Sequence, residues 1–303
     1  GNVYMQLGDT ATALAEYDAA LGTQPDLQVA RYNHVIALWL GGDLPAAYAE
    51  ADQLAASIPD ASWTLNLRGV IAAEQGRDED ALHDFEAASG LNSGLIAPLH
   101  NKALILTRLG RYDDALGVYD ALQGLEPNNP IFYYLMGHVY RLASQLPQAG
   151  YALNRAVDLD KEYVEAYLER GRVNMDAGDL DKARADIQQA IDLLPDDYTG
   201  YQLLGDLLLL QEQYRESEGA YTDAIKKGGS NSAIYASRAW ARHRQHSLER
   251  AISDYEQAIA LGDHSAELLF RLGFAHFDRA YYDNALEAFS GAANGGIDTA
   301  EMH

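Results

Sequence analysis

Cysteine is absent from this chain of 303 residues, and proline occurs only 8 times. Without cysteine there is no disulfide, no thiolate metal ligand and no thiol nucleophile. The same absence weakly indicates an oxidising compartment, so the bacterial periplasm is favoured over the cytoplasm by a small margin. Scarce proline and few β-branched runs, beside abundant alanine and leucine, predict an all-α protein.

Basic residues are also scarce, since 22 Lys and Arg face 45 Asp and Glu and leave a formal net charge of −23. This charge repels phosphate backbones and anionic membrane surfaces. No apolar run approaches the roughly 20 residues that a membrane-spanning helix needs. We therefore expect no nucleic-acid partner and no direct membrane insertion.

What the chain does contain is a period of 34 residues, which is the mark of a repeat architecture. Alanine recurs at Ala13, Ala47, Ala81, Ala115, Ala149, Ala183, Ala251 and Ala285, with Ser217 in the remaining place. Four residues later stands a mostly large column, Tyr17, Phe85, Tyr119, Leu153, Ile187, Tyr221, Tyr255 and Phe289, interrupted by Ala51. Both columns fall on one helix face, where small residues let a neighbouring helix approach and large ones fill the gap.

Twelve residues before each alanine lies a second small column, which marks an earlier helix: Gly1, Gly69, Ala103, Gly137, Gly171, Gly205, Ala239 and Gly273, with Val35 larger. Between the two helices a turn glycine stands at Gly8, Gly42, Gly76, Gly110 and Gly178, which suits a left-handed helix end. Ser144, Glu212, His246 and Ala280 take that place in the other units, so those turns must close without glycine and their geometry stays open. Each unit reads as helix, turn, helix and break.

These columns resemble the tetratricopeptide repeat family along essentially the whole chain. The resemblance implies a right-handed superhelical solenoid of about nine helix-turn-helix units in one array, 1–303. Its parts are a partial repeat 1–27, full repeats 28–61, 62–95, 96–129, 130–163, 164–197, 198–231, 232–265 and 266–299, and the start of another at 300–303. Both ends look cut and uncapped, so self-association through them is expected.

Enzyme signatures are missing: the sequence has no Gly-Lys dipeptide for a Walker A loop and no G-x-G-x-x-G, G-x-S-x-G or H-E-x-x-H. His243 and His246 have a spacing that could bind a metal, but arginines interleave them and no carboxylate stands at matching helical spacing. We therefore predict no catalytic residue, no metal and no cofactor, hence a protein that is not an enzyme.

In the family, ligands lie in a concave groove that the first helices line. Helical spacing then selects the residues that face this groove. They are Tyr32, Ile36, Trp39, Trp63, Asn66, His100, Leu104, Arg108, Tyr134, His138, Arg141, Arg172, Trp240, Arg244, Phe270, Phe274 and Phe277. All three tryptophans fall on this face, and an exposed aromatic groove indicates an interaction site. The alternative buries these aromatics between helices.

Arg108, Arg141 and Arg172 belong to consecutive units and predict a basic stripe across an acidic protein. Arginine binds carboxylates in a planar, bidentate way, so the stripe suggests a partner with an acidic segment or a C-terminal carboxylate. Alternatively, these arginines pair with neighbouring acids such as Glu169 and Asp176.

The function that these features favour is a scaffold that binds a partner protein or peptide in the groove. The alternative is a docking or regulatory arm of a larger enzyme or of a bacterial envelope or exopolysaccharide secretion protein. The lysine and asparagine clamp of the chaperone-binding members is not found, since the inner faces offer only Lys102. RNA binding by a related 35-residue repeat is disfavoured by the period and the charge.

Overall fold

The computed structural model describes residues 1–295, which form eighteen helices and no strand in that range. They are α1 (Asn2–Gln6), α2 (Thr10–Thr23), α3 (Gln28–Leu40), α4 (Leu44–Ser57), α5 (Ser62–Glu74), α6 (Asp78–Leu91), α7 (Ile96–Arg108), α8 (Tyr112–Leu125), α9 (Pro130–Leu142), α10 (Leu146–Leu159), α11 (Val164–Asp176), α12 (Leu180–Leu193), α13 (Tyr198–Leu210), α14 (Tyr214–Lys226), α15 (Ser232–Arg244), α16 (Leu248–Ala260), α17 (Ala266–Asp278) and α18 (Tyr282–Asn294). The all-α prediction is confirmed. The expected repeat start at 300–303 lies outside the described residues.

Two compact units divide the chain, Gly1–Gln145 with α1 to α9 and Leu146–His303 with α10 to α18. Inside each unit, helices that follow one another in sequence pack together. The first helices of neighbouring repeats also touch, as α5 touches α7 in unit 1 and α13 touches α15 in unit 2. In the described part of the chain, no helix is both long and apolar enough to cross a bilayer.

The small column of the first helices explains the close packing within a repeat. A Cβ added at Gly69 would stand 2.7 Å from Phe85, and one added at Gly205 would stand 2.6 Å from Tyr221. In both pairs the large residue lies sixteen residues later on the second helix and is almost fully buried. Glycine therefore lets the first helix lie directly against an aromatic ring of the second.

The turns between paired helices share one geometry with or without glycine. Gly8, Gly42, Gly76, Gly110 and Gly178 have φ between 72° and 85°. Ser144, Glu212, His246 and Ala280 also adopt positive φ, between 56° and 65°. The same backbone bond closes both kinds of turn, for example Arg77 N to Ala72 O at 2.9 Å and Tyr281 N to His276 O at 2.8 Å. Side chains at these four places carry a steric cost that glycine avoids.

We predict that Ala280→Gly stabilises the protein by about 0.5 to 1 kcal/mol, because relief of the left-handed strain exceeds the added freedom of the unfolded chain. Thermal unfolding followed by circular dichroism measures the change. The matched control is Ala121→Gly on the exposed face of α8, which should destabilise by up to about 1 kcal/mol. A fall in Tm for both variants would contradict the strain.

A second periodic contact is ionic. Arg68, Arg170 and Arg238 occupy the same place on three first helices, and each binds an aspartate sixteen residues later on the second helix. The Nε to Oδ2 distances are 2.8 Å for Arg68 and Asp84, 3.0 Å for Arg170 and Asp186, and 2.8 Å for Arg238 and Asp254. All three aspartates are buried. Each arginine thus neutralises the negative charge of its buried aspartate.

Each of these arginines also reaches the preceding second helix. Arg68 Nη1 donates to Asp52 at 2.5 Å, and Arg170 Nη1 donates to Asn154 at 2.9 Å. Arg238 Nη1 donates to Thr222 at 3.2 Å. One guanidinium therefore connects three helices of two neighbouring repeats. The hydrogen bond to Asp84 raises the pKa of Arg68 above its ordinary value.

We predict that Asp84→Ala lowers the free energy of unfolding by about 3 kcal/mol, because it leaves Arg68 without its buried partner. Asp52→Ala removes the exposed partner of the same arginine and should cost less than about 1 kcal/mol. Denaturant unfolding of both variants provides the comparison. Equal losses would show that burial of Asp84 does not govern the pair.

Candidate functional site

In unit 1 the predicted aromatic residues meet across two first helices. The rings of Tyr32 on α3 and Trp63 on α5 pack edge to face, with centroids 5.2 Å apart. Trp63 keeps 41% of its surface exposed, whereas Ile36 and Trp39 are half-buried against the core around Val35. One tryptophan is thus accessible to a partner, and the other also supports the fold.

A hollow of about 390 Å³ lies between α5 and α7. It is lined by Val70, Ala73, Glu74, Phe85, Asn101, Leu104, Ile105 and Arg108. Asn101 donates its side-chain amide to Asn66 Oδ1 at 3.0 Å. The structure therefore brings the predicted residues Leu104 and Arg108 to one hollow, with Asn66 bonded to a wall residue.

Arg108 is already paired at the edge of this hollow. Its Nε donates to Asp78 Oδ2 at 2.7 Å, and its Nη2 binds the other oxygen of the same carboxylate. Asp78 is the first residue of α6. The guanidinium fork of Arg108 is therefore occupied by an acid of its own unit.

The remaining predicted residues of unit 1 lie on α7 and α9. His100 is half-buried beside Phe132, with ring centroids 6.2 Å apart. Its Nδ1 is buried without a hydrogen-bond partner, and burial lowers the pKa of His100. This favours a neutral ring near pH 7. Tyr134, His138 and Arg141 are half-buried on α9.

Arg172 is the first predicted residue of unit 2, and it too has an acidic neighbour. Its Nη1 lies 3.2 Å from Glu169 Oε2, one turn earlier on α11. Glu169 is buried, whereas Arg172 is 41% exposed. The expected pairing of the arginines with nearby acids therefore occurs at Arg108 and Arg172, although the partner of Arg108 is Asp78.

The clearest cluster of unit 2 surrounds Trp240 on α15. Arg271 of α17 lies 4.8 Å above the Trp240 ring, and Arg244 lies 5.4 Å from it. Arg244 also rests 4.8 Å from the centroid of Tyr214, the first residue of α14. Two guanidinium groups thus flank one indole, an arrangement that cation–π attraction stabilises.

Three predicted phenylalanines follow on α17. Phe270 and Phe274 pack edge to face at 4.8 Å, and both contact Phe289 of α18. Phe277 is 54% exposed and lies 5.7 Å from Tyr282. Phe274 and Phe277 therefore present aromatic surface, while Phe270 is half-buried.

A half-buried carboxylate lies on the same series of first helices. Asp206 on α13 accepts a hydrogen bond of 2.6 Å from the Tyr221 hydroxyl. Burial raises the pKa of Asp206, and the Tyr221 bond and the charge of Arg172 only partly offset this. Perturbed carboxylates often mark functional surfaces.

We predict that Asp206→Asn raises the Tm at pH 7. The raised pKa of Asp206 means that its ionised form destabilises the folded protein. The resulting loss in the free energy of unfolding is absent well below the raised pKa and complete once the pH has risen through it. The gain should therefore shrink as the pH falls toward the ordinary Asp value of about 4. Asp181→Asn, at an exposed position on α12, is the control. A gain that does not change with pH would contradict the assignment to Asp206 ionisation.

Sequence reasoning did not identify Tyr214, Arg271 or Asp78 as parts of these clusters. Tyr214 and Asp78 begin second helices, whereas the search for groove residues followed the first helices. Arg271 does lie on a first helix, but one place along from Phe270. A search that followed charges across neighbouring helices would have found it.

His243 and His246, the pair whose spacing could suit a metal, lie in different surroundings. His243 is buried and its Nε2 lies 2.9 Å from Asp278, while His246 occupies a left-handed turn with φ of 56°. Among residues 1–295 no three His, Asp or Glu side chains are grouped so that they could hold an ion.

Comparison with known proteins agrees with these repeats. Tetratricopeptide repeat models match residues 1–62, 100–163, 164–197 and 202–266. The chain belongs to the tetratricopeptide repeat family. The family and fold predicted from the 34-residue period are thereby confirmed.

Curated members of this family share low sequence identity with the chain. Hsp70-Hsp90 organizing protein 1 of Glycine max is 24% identical over 228 residues, which cover 72% of this chain and 39% of that protein. DnaJ homolog subfamily C member 3 of Gallus gallus is 22% identical over 323 residues, covering 96% of this chain and 64% of that protein. The chain thus spans less than two thirds of the length of these relatives.

Solved structures show the same fold. A tetratricopeptide repeat protein from Parabacteroides merdae superposes with a TM-score of 0.70 at 20% identity, covering 82% of this chain and 98% of that one. The Cut9–Hcn1 hetero-tetramer of APC/C gives a TM-score of 0.63 at 16% identity, covering 88% of this chain and 52% of that one. At these identities the likeness concerns fold alone.

Proposed function

We propose that this chain is a protein-interaction scaffold, a non-enzymatic adaptor that holds a partner protein or peptide against its first helices. The division into 34-residue repeats given above is part of this proposal. The observation that supports it most is the cluster of Trp240, Arg244, Arg271 and Tyr214, because it combines aromatic surface with an available positive charge in a strongly acidic chain.

Arg244 differs from most of the other arginines in having no acid beside it. It is exposed, two aromatic rings support it, and within the described residues it makes no ion pair. Arg271, on the other side of Trp240, is bonded to Glu267 at 2.7 Å. The donors of Arg244 are therefore open to a carboxylate of the partner, and the indole offers adjacent apolar surface.

The stripe of Arg108, Arg141 and Arg172 is a weaker place for such an acid. A partner carboxylate would have to displace Asp78 from Arg108 or Glu169 from Arg172. Exchange of one ion pair for another gains little free energy at an exposed site. We therefore propose Arg244 as the residue that binds an acidic segment or C-terminal carboxylate of the partner.

Apolar side chains of the partner have places in both units. In unit 1 these are Trp63 beside Tyr32 and the hollow that contains Leu104. In unit 2 they are Phe274 and Phe277. Aromatic and arginine residues in such positions commonly supply most of the binding free energy at protein interfaces.

Hsp70 and Hsp90 are the first natural partners to test, because several curated relatives are named Hsp70-Hsp90 organizing proteins. The missing lysine and asparagine clamp argues for a different mode of carboxylate recognition here. The docking-arm reading is compatible with the greater length of the relatives. The absence of cysteine remains the only support for a periplasmic location.

The test of this proposal is the affinity of fluorescent peptides measured by anisotropy. Three peptides of one sequence with a central leucine and phenylalanine are compared: one with acidic residues and a free C-terminus, its C-terminal amide, and one with lysine for every acid. We predict that Trp240→Ala with Arg244→Glu weakens binding of the acidic peptide roughly thirtyfold, the size of a hot-spot loss of about 2 kcal/mol.

The matched control is Arg215→Glu, which makes the same charge change on the exposed surface of α14, at a side chain that makes no aromatic contact among residues 1–295. It should leave the affinity within about twofold. Equal weakening by both variants would reduce the effect to overall charge. Tight binding of the lysine peptide alone, or unchanged binding by the Trp240 and Arg244 variant, would reject this site.

A further inference from the structure

A cavity of unit 2 is lined by other helices than those that carry the Trp240 cluster. It has a volume of about 690 Å³, and its walls come from the second helices α10 and α12 and from the first helix α11. Leu146, Pro147, Gly150, Tyr151 and Asn154 line it from α10, and Val173, Asn174 and Ala177 line it from α11 and its C-terminal end. Its size is within the range of natural ligand sites.

One residue of the lining, Gly150, lacks a side chain that other repeats have at the same place. Gly150 occupies the place held by Leu82, Leu116 and Ile252 in three other second helices. Those three side chains are buried. A Cβ added at Gly150 would meet nothing within 4 Å.

The neighbour that faces this place can be identified from another repeat. Glu218 takes the same position on α14, and it binds Nε of Arg242 on α15, 24 residues later, at 3.0 Å. The residue 24 positions after Gly150 is Asn174, which also lines the cavity. The space left by Gly150 therefore faces Asn174 of α11. An aliphatic side chain at position 150 would pack against this residue.

The walls have a defined chemistry. Leu146, Pro147 and Val173 are apolar, and Ala177 and Ala185 are small. The ionic groups of the lining are paired among themselves. Arg170 binds Asp186 and Asn154, Asn174 binds Asp186 at 2.9 Å, and Lys182 binds Asp179 at 2.6 Å. The space that remains thus suits an aliphatic side chain rather than a charged one.

The rim offers a contact residue. Tyr151 lines the cavity and yet is 71% exposed, the highest exposure among the large apolar or aromatic residues of α10. A partner that filled the cavity would cover this ring at the same time. Exposed tyrosine beside a pocket is a frequent energetic centre of protein interfaces.

We propose that this cavity receives a leucine or isoleucine side chain from a basic amphipathic helix of a partner protein. The chain itself places leucine or isoleucine in the equivalent space of three repeats, which gives the chemistry of the occupant. The charged groups that line this cavity are paired with one another, so the formal charge of −23 of the whole chain favours a basic partner at this site. The acidic segment proposed for Arg244 depends instead on that one local positive charge. The cavity is a second docking site, independent of the first-helix surface at Trp240.

The experiment uses the full chain and two capped helical peptides of alanine and lysine, identical except for one central leucine or alanine. Anisotropy gives the affinity of each. We expect the leucine peptide to bind at least tenfold more tightly than the alanine peptide. The difference should disappear in Gly150→Leu, which fills the cavity from within and, by replacing a helical glycine, raises the Tm.

Two controls separate cavity filling from other effects. Gly117→Leu changes an exposed helical glycine of α8 that also has open space, so it should keep the tenfold preference. Tyr151→Ala removes the rim ring without filling the cavity and should weaken the leucine peptide selectively. This variant decides the matter even where Gly150→Leu disturbs folding.

Equal affinity of the two peptides for the parent chain would overturn the proposal, since electrostatic attraction alone would then account for binding. A preference for leucine that survives both Gly150→Leu and Tyr151→Ala would place the contact elsewhere and overturn it too. Sedimentation of the parent chain gives a further check: a dimer that Gly150→Leu abolishes would assign the cavity to a second copy of this chain instead.

Discussion

The close approach of each first helix to its second helix is the contact on which the rest of the structure depends. At Gly69 and Gly205 the missing Cβ leaves room for the rings of Phe85 and Tyr221, which lie sixteen residues later. This contact fixes one face of the first helix against its own repeat. Another face of the first helices is then free to vary, and it carries Trp63, Leu104 and Trp240. Repetition of one packing arrangement thus separates the residues that hold the fold from those that we propose meet a partner.

Ionic contacts reinforce the same geometry. Arg68, Arg170 and Arg238 join the two helices of one repeat through buried aspartates. Their Nη1 atoms reach the second helix of the repeat before through Asp52, Asn154 and Thr222. A buried carboxylate tolerates few arrangements, because it must keep its arginine. These pairs therefore fix the register between the two helices of a repeat where apolar contacts alone would permit sliding. Arg244, held by aromatic rings instead of an acid, stands apart from this pattern.

Periodicity made the fold predictable from sequence, whereas the site depends on contacts between helices that periodicity does not describe. The columns around Ala81 and Phe85 require two packed helices per unit, and that led to the family. The turns at Glu212 and Ala280 could not be settled, because sequence does not show that a non-glycine residue accepts positive φ when the surrounding helices hold it there. Ion pairing was equally hidden: Arg108 meets Asp78, thirty residues earlier and on another helix. The groove residues themselves remain a prediction.

The most direct test of the central claim, that partners bind the first-helix surface, is site-specific photo-crosslinking. A benzophenone amino acid is placed at Phe274, exposed on the first helix α17, or at Gln257, exposed on the second helix α16. With the acidic peptide present at its dissociation constant, our account predicts crosslinking at 274 and little at 257. Crosslinking at 257 with none at 274 would contradict it and move the binding surface to the second helices.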